Sequence, residues 1–256
     1  MFFLFAPFIS SSIYAALLLV SLYYSSSRFF WWGLIAGICI LLFSIKRSAG
    51  RISYTLSPIL LVLSGLPLIS LIDDINLRYS IIVTSSISLH ALLIAKNKLI
   101  EQPKNSFAFS IINLINLGIF FAWSNIIFAS YNNFSEVVFP FWIMLLLILF
   151  VSLITSKDIL EYASKSNLDE SPPKRDVNLS AFLIALMSLE IAWAVAFFPL
   201  GYRSSAMILF ASYYSILASV FFFLTKREKK RKLAKDIIIS LIAIVLILIT
   251  AKWRYY

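Results

Sequence analysis

A carboxylate stands inside the apolar run Ser180 to Leu200, SAFLIALMSLEIAWAVAFFPL. The run is about 20 residues long, enough to cross a hydrocarbon core of ~30 Å at ~1.5 Å per residue. Glu190 lies near its middle, and Trp193, three residues on, shares its helical face. A charged side chain at that depth costs about 2.5–3.5 kcal/mol on insertion scales. Glu190 therefore needs a partner, a proton or a water-filled cavity. Two roles follow. It could bind a proton or substrate in a transporter, near the midplane where such sites lie. It could instead be a neutral acid hydrogen bonded to a neighbouring helix. Both require the side chain to point into a bundle. By depth, Asn116, Tyr213 and His90 are the partners expected for it.

His90 is the only histidine. Asn113 and Asn116 lie at a similar height in the next span and share a face at i, i+3. The three could line a polar pocket or make interhelical hydrogen bonds worth ~0.6 kcal/mol each. A catalytic histidine needs an orienting partner, and no carboxylate stands near His90 in the sequence. One His and the lone Cys39 argue against a zinc site or an intrachain disulfide. Asp73 and Asp74, followed by Arg78, sit in a turn expected on the outer side. Paired external acids can hold a divalent ion or act as base in sugar transfer from a lipid carrier. Asp just before a helix is also an ordinary N-cap. The basic run from Lys226 to Lys235 has no interleaved aromatic residues to stack bases, so it does not indicate nucleic acid. It reads as a topology signal that touches anionic lipid headgroups. GxxxxGK, HExxH, GxSxG and CxxC are all absent. No catalytic residue, cofactor or metal is assigned.

The elements that must position these residues are transmembrane helices. The 256 residues are 61% hydrophobic and 13% charged, against about 25% charged for soluble domains. Continuous apolar runs, not short alternating strands, specify an all-α polytopic bundle in a bilayer. Nine spans are expected, roughly 4–24, 29–45, 55–72, 78–95, 107–129, 137–155, 179–200, 204–225 and 236–252. The first has no basic residues before it and reads as a retained span, not a cleaved signal. All Lys and Arg except Arg28, Arg78, Arg203, Lys252 and Arg254 follow even-numbered spans. The positive-inside rule then puts those loops and the N-terminus in the cytoplasm, and the C-terminus outside. Trp31, Trp32, Tyr131, Phe141, Trp142 and Trp253 fall at the expected outer interface, where aromatic rings gather. Residues 156–178, with Pro172 and Pro173, read as a cytoplasmic linker. It would join a six-helix part, 1–155, to a three-helix part, 179–256, of one membrane domain. Small-residue faces at Gly33 and Gly37, at Ser80, Thr84 and Ser88, and at Ala211, Ser215 and Ser219 mark spans two, four and eight as interior. Spans six and nine are expected to face lipid.

The last third reads Glu190-x-x-Trp193, then Phe197-Phe198-Pro199, Tyr213-Tyr214, a basic loop and Thr250-x-x-Trp253. Over residues 180–256 this resembles an uncharacterised family of small bacterial multi-pass membrane proteins. The resemblance implies a cytoplasmic-membrane protein and brings no activity with it. Short loops and many packing faces favour a non-enzymatic envelope or assembly component with a membrane-protein partner. The alternative is a proton-coupled, small-solute or lipid transporter using Glu190. A third reading is an outer-face lipid-linked transferase using Asp73 or Asp74.

Overall fold

The computed structural model describes residues 2–23, 56–102, 105–132, 140–167, 173–225 and 230–251. These form helices α1 (Phe2–Tyr23), α2 (Leu56–Ser70), α3 (Ile75–Glu101), α4 (Ser106–Tyr131), α5 (Phe141–Asn167), α6 (Lys174–Ala196), α7 (Tyr202–Thr225) and α8 (Lys230–Thr250). Six, α3 to α8, are long and apolar enough to cross a membrane. The protein is a helical membrane bundle. The span expected at 29–45, with Gly33, Gly37 and Cys39, lies outside the described residues, as do Trp253 and 226–229 of the basic run.

The chain divides into two compact units, Met1–Ile115 and Asn116–Tyr256, with the boundary inside α4. In the first, α1 lies against α3 and, less extensively, α2, and α2 packs on α3. The α2 helix has only 15 residues, ~22 Å at the usual rise, and is shorter than the span expected over 55–72. Pro67 lies in it, and the chain turns away from helix at Leu71. Asp74 caps α3, its Oδ1 accepting from the backbone N–H of Asn76 at 2.7 Å and Leu77 at 3.1 Å. Arg78 Nε donates to the Ile72 carbonyl and closes the same turn.

Gly65 decides how closely α1 approaches α2. The buried Tyr14 hydroxyl lies 3.4 Å from the Val62 carbonyl. A Cβ at Gly65 would stand 2.1 Å from that hydroxyl. Gly65→Ala is therefore expected to expel the Tyr14 ring and destabilise this unit by about 1–3 kcal/mol, as overpacking does. Unfolding of the purified protein in detergent measures it. An unchanged midpoint would mean that the two helices are not held by this approach.

The buried face of α3 is Ile82, Leu89, Leu92, Leu93 and Leu99, with Lys96 among them. Lys96 Nζ donates to Ser57 Oγ at 2.7 Å, both residues buried. Lys96, expected in a loop, is thus part of a helix that continues to Glu101. Ser80 and Thr84, expected to face the interior, are exposed. Bulky aliphatic side chains make this contact instead, and the small residues lie on the other side of α3.

In the second unit α5 packs on α6 and, less extensively, on α7, α6 packs on α7, and α7 packs on α8. The apolar window of α5 is 61% buried and that of α8 is 6% buried. The lipid-facing expectation is consistent with α8 and wrong for α5. Ser152 and Ser156, at i, i+4, give α5 the small face that lets its neighbours approach. The linker expected at 156–178 is helical up to Asn167 and again from Lys174. The apolar periodicity of α5 continues past Lys157 through the buried Ile159, Leu160 and Ala163. Serines in these helices bond within their own helix: Ser124, Ser188, Ser212, Ser215, Ser219 and Ser240 each donate to the carbonyl four residues back.

Candidate functional site

Most of the buried polar side chains of the second unit gather around one stretch of α5. Its residues Ser152, Thr155, Ser156 and Asp158 point to three different neighbours. Toward α4, Asn116 Nδ2 donates to Asp158 Oδ2 at 2.9 Å. Toward α7, Thr155 Oγ1 and the Tyr213 hydroxyl share a hydrogen bond of 3.0 Å. Toward α6, Ser152 Oγ donates to Ser188 Oγ at 3.1 Å, and Ser156 Oγ reaches the Ala181 carbonyl at 3.3 Å. The Tyr213 ring lies stacked on Phe120 of α4, centroids 3.8 Å apart. Asn116, Ser152, Thr155, Ser188 and Tyr213 are fully buried, and Asp158 is 7% exposed.

The local sequence explains the geometry. Thr155 and Asp158 are three residues apart, and Ser152 and Ser156 four, so each pair projects from adjoining turns. In a bilayer such groups must be satisfied by protein. Here satisfaction comes from three different helices, which fixes their rotation and height about α5. The arrangement is a polar clamp built around a carboxylate.

Of the residues singled out from sequence, Asn116 and Tyr213 belong to this clamp. Their partners are Asp158 and Thr155, not Glu190. Glu190 does not point inward: it is exposed on α6, as is Trp193. Its position explains this, because α6 buries the opposite face through Ala181, Ile184, Ser188, Ala192 and Val195. His90 lies in the first unit, half-buried, its ring T-shaped against Phe8 at 6.2 Å between centroids. Asn113 lies in the same unit, on α4. Asp73 is exposed, and Asp74 is the cap described above. Asp158 lies beyond the span expected to end at residue 155, in a helix that runs on to Asn167. The apolar period running on past it was the available signal.

Aromatic rings close one end of this unit. Tyr131 at the end of α4, Phe141 at the start of α5, and Trp193 and Phe197 at the end of α6 follow one another at 5.4–6.1 Å.

No curated protein and no solved structure matches the chain. The family description "Tripartite tricarboxylate transporter TctB family" matches residues 106–252. That stretch covers all of α4 to α8, and it contains the clamp, Glu190 and most of the segment whose resemblance to a small bacterial membrane family was noted above. With six long apolar helices among the described residues and a family match over more than half its length, this is a multi-pass protein of the bacterial cytoplasmic membrane and a member of the tripartite tricarboxylate transporter TctB family.

Proposed function

We propose that the chain is a non-enzymatic membrane subunit of a tripartite tricarboxylate transporter, one that supports another membrane component instead of carrying the substrate itself. The observation that carries this reading is the clamp. Its hydroxyls, the Asn116 amide N–H and the Asp158 carboxylate are buried and hydrogen bonded between helices, so they hold helices together and do not line a path. Its one carboxylate, Asp158, would repel a tricarboxylate anion. The family match is consistent with a part in a multi-component system.

Uptake of labelled citrate, a tricarboxylate, tests the reading. Cells lacking this chain but keeping the other components should lose most uptake. The purified chain alone in liposomes should accumulate no citrate. Accumulation by the chain alone would overturn the proposal and favour the second reading, in which Glu190 is a coupling acid. That alternative draws support from the position of Glu190 within a span. It requires that Glu190→Gln fold normally and remove the pH dependence of uptake.

We also read the chain as nine spans, with the N-terminus in the cytoplasm and the C-terminus outside. The charge asymmetry of its loops supports this. A cytoplasmic reporter active at the C-terminus, or an external tag readable between Lys226 and Lys235, would exclude it. In this topology the basic run faces the anionic headgroups of the inner leaflet.

A further inference from the structure

Two helices of the second unit present long uncovered stripes, and the stripes differ in kind. That of α8 is uniformly aliphatic: Ile238, Leu241, Ile242, Val245, Leu246 and Ile249 are all exposed. This is a surface for lipid. The stripe of α6 runs Leu183, Met187, Glu190, Trp193, Phe197, also exposed and spaced at i, i+3 or i+4, with Phe182 beside Leu183. A carboxylate stands within it. Glu190 is about 24 Å along the axis from Lys174 and about 9 Å from the helix end at Ala196. Its side chain is shorter than one helical turn of ~5.4 Å, so it cannot reach either headgroup layer from there. Bare lipid opposite this stripe would leave an acid in hydrocarbon without a hydrogen-bond partner.

We propose that the Glu190 stripe of α6 is an intramembrane docking surface for a transmembrane helix of another transporter subunit, and that this helix sets a basic side chain against Glu190. The inference rests on the subunit reading above and identifies the surface that reading needs. Two features specify the chemistry of the partner. The carboxylate calls for a cation, and the exposed indole of Trp193, one turn along the same face, offers an aromatic ring to that cation. Met187 and Leu183, on the other side of Glu190, supply apolar area for the flanking turns. A second copy of this chain fits poorly. A two-fold contact through the centre of the stripe would bring Glu190 against its own counterpart, and two carboxylates at one site repel.

The test uses the full chain expressed with the other components of the transporter. A benzophenone-bearing residue is placed at Met187 or, as control, at Ile242, and the membranes are irradiated. The Met187 probe is expected to give an adduct with a membrane subunit of the transporter, and the Ile242 probe is not. Glu190→Lys is expected to reduce copurification of that subunit by at least about 30-fold, as opposed charge does at a desolvated pair. Glu190→Gln should reduce it less. Lipid adducts alone at Met187, or adducts only with a second copy of this chain, would overturn the docking surface while copurification of the unaltered chain still upheld the subunit reading. Failure of the unaltered chain to copurify would overturn both. The cross-linking readout does not depend on Glu190→Lys folding.

Discussion

Tyr213→Ala is expected to destabilise the second unit by about 3–5 kcal/mol, the usual cost of removing a large buried aromatic side chain. Tyr213 is fully buried, stacked on Phe120 and hydrogen bonded to Thr155. Its loss removes the stacked ring contact between α4 and α7 together with the hydroxyl bond to α5. In a bilayer the lost packing matters most, because association of spanning helices draws on close contact and hydrogen bonding more than on exclusion of water. Tyr213→Phe keeps the stack and removes only the hydroxyl, at about 1 kcal/mol. Unfolding of the purified protein in mixed micelles would separate the two. Equal losses for Ala and Phe would show that the stack contributes nothing.

Asp158→Leu comes second. A hydrogen bond to a charged group contributes about 1.5–3 kcal/mol, and Asn116 on α4 donates one to Asp158 on α5. Asn116→Leu should cost a similar amount. The double variant should cost clearly less than the sum of the two, with a coupling between about 0.5 and 3 kcal/mol. Additive losses would mean that the 2.9 Å contact does not join the helices energetically. Neither variant touches the α6 stripe, so a chain that still folds should keep the subunit contact proposed above.

The helices were legible in the sequence because a bilayer demands long apolar runs, and each of α3 to α8 contains one. Asp74 was legible as a cap because a carboxylate before a helix has a local use. Lys96 and Asp158 were not. Each was assigned to a loop because it is charged, yet each is buried in a helix that runs on past it, Lys96 against Ser57 and Asp158 against Asn116. Whether a charge ends a span depends on a partner distant in sequence, and nothing in the local pattern supplies that. Ser80 and Thr84 misled for the opposite reason. A small residue permits close approach but does not require it, and α3 packs through Leu89, Leu92 and Leu93 instead. The need of Glu190 for a partner is legible in its position within an apolar run, but its direction is not, because the sequence of one chain shows only that chain's own helices as partners.

The serine and threonine hydroxyls that bond back along their own helices bear on how this protein is made. Ser110, Ser124, Ser188, Ser212, Ser215, Ser219, Ser240 and Thr250 each donate to a carbonyl one turn earlier. A hydroxyl satisfied in this way asks nothing of a helix not yet synthesised. Most of these spans can therefore leave the insertion machinery singly, each stable in lipid as it emerges. Asp158 is different, since it follows Asn116 in translation and needs α4 still to be beside it. Release of α4 and α5 as a pair, with the later helices joining them one by one, is the order of biogenesis that this pattern of bonds favours.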